Sequence, residues 1–126
     1  MSNPVVHFEI PANDLGRAQA FYRQTFGWAI NPISEMGYTL VMTAPTDEEG
    51  RLTRPGAING GMLERQGAVT APIITIEVPD IDEALELITA QGGRIMQAKQ
   101  AVGDMGFGAY FADSEGNVLG LWQDAS

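Results

Sequence analysis

Residues 4–63 and residues 72–123 spell out the same order of segments. The first run begins with "PVVHFEI" (4–10), an alternating stretch rich in β-branched and aromatic residues that reads as a strand. Pro11, Asn13 and Asp14 interrupt it. A short side-chain oxygen at 13 or 14 suits the start of a helix, because it accepts an orphan backbone N–H. "LGRAQAFYRQTFG" then places Leu15, Ala18, Phe21, Tyr22 and Phe26 at helical spacing, with Gly27 as the stop. Three strand candidates follow: "WAINPI" (28–33), "YTLVMTA" (38–44) and "AINGGML" (57–63). The polar, Pro- and Gly-bearing segment 45–56 between the last two reads as a long mobile loop.

The second run repeats the plan. "PIITIEV" (72–78) is a strand, and Asp80 caps a helix with Ile81, Ala84, Leu85 and Ile88 on one face. Gly92 and Gly93 end it. "RIMQAKQ" (94–100), "FGAYFAD" (107–113) and "NVLGLWQ" (117–123) are strands, the last two joined by the turn "DSEGN". Superposed, Asp14 falls on Asp80, Ala18 on Ala84, and Gly27 on the Gly92/Gly93 pair. The pattern β-α-β-β-β thus occurs twice, module 1 over about residues 1–66 and module 2 over about 70–126, with a break near "ERQGAVTAP". A single module has a helix on one sheet face and nothing on the other. Two of them, curled side by side, predict an α+β domain: a cupped, partly open barrel-like sheet with helices on the convex side and a cavity on the concave side.

The 126 residues are enough for one compact domain that buries roughly two-thirds of its unfolded surface. The absence of cysteine removes disulfides, thiolate metal sites and cysteine nucleophiles. A formal charge of −9 with seven scattered basic residues argues against nucleic acid and against an anionic membrane surface, and favours a soluble partner that is small or cationic. The N-terminal stretch lacks the features of a signal peptide, and no apolar run approaches the roughly 20 residues that span a bilayer. A cytoplasmic protein is expected.

The one histidine, His7, lies two residues before Glu9 on the first strand. Residues i and i+2 of a strand share a face, so imidazole and carboxylate look out together. His7 reads as a metal ligand, as a cavity-lining residue held by a hydrogen bond, or as a general base or substrate contact. Glu9 is the candidate catalytic acid/base, or an anchor for a cationic or hydroxylated ligand, unless it meets a basic partner such as Arg94 or reaches solvent. Gly60, Gly61, Gly106, Gly108 and Gly120 lie in or beside strands, where glycine marks a close approach or a bulge. They predict room for a ligand on the concave face. Strand parity places Val118, Gly120 and Trp122 inward and Leu119 and Leu121 under a helix. It likewise separates Phe107 and Phe111 from Gly108 and Tyr110, the latter pair facing the pocket. Met105 and Met62 complete its apolar lining. "GDMGFG" (103–108) lacks the lysine and helix of a phosphate loop, and no serine stands in a nucleophile-elbow context.

The strings "HFEIPANDLGRAQAFYRQTFGW", "IEVPDIDEALELITAQGGRI" and "YFADSEGNVLGLWQ" together resemble the vicinal oxygen chelate superfamily, which includes glyoxalase I, bleomycin-resistance proteins and extradiol dioxygenases. The resemblance spans the whole chain and is closest to small bacterial glyoxalase-like proteins with an "INGG" element, here Ile58–Gly61. It implies a single domain of paired modules, usually assembled as a homodimer. In metal-dependent members, the first and last strand of each module supply ligands to a divalent ion that polarises two adjacent substrate oxygens. Carried over position by position, His7 matches; the other three positions fall on Ile73, Gly120 and a place near Gly60, none of which can donate. A catalytic ion generally needs three protein ligands.

The expected function is therefore binding of a small molecule in a concave pocket without the full metal site, through His7, Glu9, Asn59, Gly60, Met105, Tyr110, Gly120 and Trp122. The alternative is a metal-dependent lyase (related to lactoylglutathione lyase), isomerase or dioxygenase using His7 and Glu9. In that case the cofactor is Zn²⁺, Ni²⁺, Mn²⁺ or Fe²⁺; otherwise none is needed.

Overall fold

Both aspartates marked as helix starts are caps. In the computed structural model, which describes residues 2–33 and 37–125, Asp14 accepts from the Arg17 amide at the head of α1 (Leu15–Phe26). Asp80 does the same for Glu83 at the head of α2 (Ile81–Ala90). Each satisfies one of the four N–H groups that a helix start leaves without an intrahelical partner. Gly27 closes α1 in the left-handed region (φ 71°), its N–H returning to the Arg23 carbonyl.

Around these helices run β1 (Val5–Ala12), β2 (Ala29–Ile33), β3 (Tyr38–Met42), β4 (Asn59–Glu64), β5 (Ile73–Glu77), β6 (Arg94–Val102), β7 (Gly106–Ala112) and β8 (Val118–Asp124). The order is βαβββ twice, and the fold class is α+β. The chain divides into two compact units, one of His7–Pro72 and one in which the segment ending at Val6 joins Ile73 onward. The opening strand therefore begins in one unit and ends in the other. Within the second of these units, the Pro4 carbonyl accepts from the Glu77 amide.

In the His7–Pro72 unit the strand order is β2-β3-β4-β1, with β1 and β4 parallel and the other pairs antiparallel. Pairing β1 with β4 sets His7 opposite Asn59, Phe8 opposite Gly60 and Glu9 opposite Gly61. One face carries Phe8, Ile10, Thr39, Val41, Gly60 and Met62, and it is the face under α1: Gln19 of the helix donates to the Thr39 hydroxyl at 2.9 Å. Thr39, Val41 and Met62 are fully buried there. The predicted apolar stripe of α1 is only partly used. Tyr22 stacks on Trp28 (ring centroids 5.0 Å apart), which in turn meets Phe8, but Phe21 and Phe26 remain 55% and 60% exposed. Phe21 and Tyr22 are sequence neighbours on a helix, about 100° apart, so they cannot both face the sheet.

The other unit has the order β5-β8-β7-β6, again with its first and last module strands, β5 and β8, parallel. Its core is Val78, Ile81, Leu85, Ala109, Phe111 and Leu121, with Phe107 and Leu119 packed against it. Phe107, Phe111, Leu119 and Leu121 thus lie under α2 as parity predicts. Tyr110 pairs with Gly120 and Gly108 with Trp122 on the alternate positions.

Segment 45–56 has internal order. Asp47 accepts from the amides of Glu49 and Arg51, Arg51 pairs with Asp47 and Glu49, and Thr46 bridges Leu52. No helix among the described residues is long and apolar enough to cross a membrane.

Candidate functional site

β1 alternates, so His7 and Glu9 emerge on the face opposite α1. What joins them is a residue that the sequence did not single out. Tyr38, the first residue of β3, donates its hydroxyl proton to Glu9 Oε2 at 2.9 Å. The Tyr38 hydroxyl oxygen also lies 2.8 Å from His7 Nε2. A phenol has one proton, and here Glu9 receives it, so His7 Nε2 carries a hydrogen and donates to Tyr38. The result is a chain His7→Tyr38→Glu9. Glu9 is only 8% exposed, and this hydrogen bond gives its carboxylate a partner away from bulk water.

Burial pushes the His7 pKa below its ordinary value, while the neighbouring Glu9 charge pulls it partly back up. Desolvation wins, so the ring is neutral near pH 7. A neutral ring with its hydrogen on Nε2 satisfies the Tyr38 contact.

Gly61 explains how a tyrosine fits between them. A Cβ at position 61 would stand 1.8 Å from the Tyr38 hydroxyl oxygen and 2.0 Å from Cζ. The phenol therefore lies directly on the β4 backbone, where only glycine leaves space. Gly61 opposite Glu9 in one unit corresponds to Gly120 opposite Thr75 in the other. The pseudo-symmetric position in the first module is thus Gly61. Gly60 is one residue out of phase: it faces α1, with the Phe8 ring 2.6 Å from where its Cβ would be. That removes Gly60 from the His7–Glu9 face, because a one-residue step reverses the direction of a strand side chain. Met62 is displaced to the helix side for the same reason.

The glycines as a group do not leave the predicted room. Besides Tyr38 over Gly61 and Phe8 over Gly60, the Trp122 ring and the Gln123 carbonyl crowd Gly106, and the Thr75 hydroxyl lies 2.8 Å from a Cβ at Gly120. Only Gly108 has ordinary contacts, at 3.7 Å and beyond. At Gly60, Gly61, Gly106 and Gly120 the space that glycine opens is taken by this chain's own atoms.

The remaining predicted residues separate into two groups. Asn59 is paired with His7, but its amide oxygen accepts from the Thr43 backbone N–H at 2.8 Å and so ties the end of β3 to β4. In the other unit, Tyr110, Gly120 and Trp122 share a face by register. Trp122 donates its indole N–H to Asp124 at 2.7 Å. Met105 lies in the turn before β7, 53% exposed, away from the strand positions that define that face.

The donor set does not fit the metal that the resemblance implies. His7 and Glu9 are two donors, and among the described residues no group of three His, Cys, Asp or Glu converges anywhere. The nitrogen that faces Glu9 across Tyr38 carries a hydrogen and has no lone pair to offer at that position. No step through a metal follows from these residues.

Comparison with known proteins agrees with the geometry. Residues 5–44 match the family model described as bleomycin resistance protein-like N-terminal. A glyoxylase-like domain-containing protein of Didymella fabae is 29% identical over 115 residues, spanning 87% of this chain and 85% of that one. Among solved structures, a Streptomyces coelicolor methylmalonyl-CoA epimerase variant in complex with 2-nitronate-propionyl-CoA superposes with a TM-score of 0.65 at 22% identity, covering 100% of this chain and 97% of the other. A hypothetical protein of Bacillus halodurans superposes with a TM-score of 0.66 at 12% identity over the same shares. The twice-repeated βαβββ order, the family-model match over residues 5–44 and the glyoxylase-like relative agree with the resemblance to the vicinal oxygen chelate superfamily, and the solved structures share the fold.

Proposed function

We propose that this protein binds a small organic molecule on the His7–Tyr38–Glu9 face without a metal ion. The observation that carries the reading is the hydrogen-bonded chain itself. Its acceptor end is a carboxylate held in a nearly water-free place, and its donor end is a neutral imidazole. Such a group favours a ligand that presents a cation or a hydrogen-bond donor to Glu9. Solved relatives that share the fold hold small acyl-CoA compounds, which is consistent with a ligand-binding role for this architecture. On this reading the protein is a cytoplasmic homodimer whose partner is a metabolite or drug-sized molecule.

The same chain supports a second role for Glu9, as the acid/base of a metal-free reaction. Its carboxylate can take a proton from a bound ligand while Tyr38 and His7 hold it in position. Glu9→Gln separates the two roles, since it removes the base and keeps the shape: loss of turnover with retained binding marks catalysis.

The test is a thermal-shift screen of chelator-treated protein against chemically diverse small molecules. A true ligand gives saturable stabilisation, about 2.7 kcal/mol at a hundredfold excess over Kd, and Tyr38→Phe weakens it. No saturable response in any chemical class, or a response that requires added Zn²⁺ or Mn²⁺, overturns the proposal.

A further inference from the structure

We propose that Tyr38 is the residue that closes the His7–Glu9 pair to divalent cations, and that Gly61 is what allows it to do so. The inference concerns the same face as the proposed function but holds whichever organic ligand binds there.

Imidazole and carboxylate on one strand face are the first two donors of a metal site. An ion bound to both would stand about 2.0–2.2 Å from each. The Tyr38 oxygen already lies 2.8 Å from His7 Nε2 and 2.9 Å from Glu9 Oε2. It takes the place between them that the ion would need. It also holds the hydrogen on Nε2, which blocks that nitrogen's lone pair. A positive charge is thereby replaced by a neutral hydroxyl that answers both partners, donating to one and accepting from the other.

The second observation is independent of those hydrogen bonds. The ring reaches this position only because residue 61 has no side chain, since a Cβ there would be 2.3 Å or less from three of its atoms. A glycine directly beneath the phenol, on the strand paired with β1, makes the closure a built feature of the sheet.

The prediction follows that shortening residue 38 creates cation affinity. The probes are ZnSO₄ and MnCl₂ alone, titrated calorimetrically into chelator-stripped full-length protein. Wild type is expected to show no saturable binding. Tyr38→Ala and the bulkier Tyr38→Leu, each checked for native far-UV circular dichroism, are expected to bind at least tenfold more tightly than wild type. Adding His7→Ala to either abolishes the gain. A folded variant that binds no better than wild type, or a gain that survives His7→Ala, overturns the proposal. Wild type supplies a readout that needs no variant. The chain has one histidine, so its ring ¹⁵N resonances are unambiguous. They should report the Nε2–H form and stay put on adding one equivalent of Zn²⁺; a shift to a metal-bound nitrogen overturns the proposal. Failure here leaves the ligand screen standing, because that screen uses organic molecules on wild type and this one uses metals on variants.

Discussion

Tyr38 and Gly61 act as one device, and each can be tested through the other. Gly61→Ala forces a methyl group into the phenol, whose oxygen is 1.8 Å from the new Cβ. Overpacking of this kind costs about 1–3 kcal/mol, so the urea midpoint should fall, and a Tyr38→Ala background should recover most of the loss. An unchanged midpoint in Gly61→Ala would mean that the ring has somewhere else to go. His7 makes a second prediction, on pH. Its folded pKa lies below the unfolded value of about 6.5. Between those two values the unfolded chain binds more protons, so acid favours unfolding. Wild type should therefore lose stability as pH falls from about 6.5 until folded His7 itself protonates, and a His7→Gln variant should lack that part of the slope. Equal slopes in the two proteins over this window would count against a buried neutral imidazole. At this scale the sequence showed half of the site. Period-two alternation put His7 and Glu9 together, but nothing in "YTLVMTA" marks Tyr38, because its role depends on a pairing register with a strand some twenty residues away.

Helix boundaries were the most legible elements, since capping is a matter of neighbouring residues: Asp14, Gly27 and Asp80 all act where local chemistry puts them. The two helices then differ in how they are held. α2 buries Ile81 and Leu85 in a continuous core, whereas no residue of α1 is fully buried. Leu85→Ala should cost about 2–5 kcal/mol. Phe21→Ala, at a position 55% exposed, should cost well under that. In native-state hydrogen exchange the α1 amides should exchange faster than those of α2; slower exchange in α1 would show that its aromatic cluster with Trp28 outweighs buried area. Segment 45–56, which reads as a long mobile loop, has a local organisation that its composition does not display. Pro, Gly and acidic residues signal a turn, yet Asp47 uses two backbone amides and an arginine to organise that turn locally.

For the whole molecule, duplication does not produce two units cut at the sequence repeat. The segment up to Val6 belongs with Ile73 onward, and the Pro4 carbonyl holds the Glu77 amide. Deleting residues 2–4 should therefore raise exchange at the Glu77 amide while leaving amides of β3 and β4 protected. Uniform loss of protection across both units would refute that assignment. The segment 64–72 joins β4 to β5, with Gln66 and Val69 bridging a tight turn, and the chain changes unit twice: after Pro72 and inside its first strand.

By itself, the sequence determined the order of elements, both helix caps and the faces of β1, β7 and β8, because each follows from spacing and from residues that interact with near neighbours. Its repeat also carried the resemblance to the superfamily. Only the tertiary structure decided which side chain fills the space over each glycine, that Gly61 rather than Gly60 stands opposite Glu9, and that Tyr38 joins Glu9 to His7. Those outcomes depend on the register of strands far apart in the chain, and a shift of one residue in that register turns every side chain to the other face.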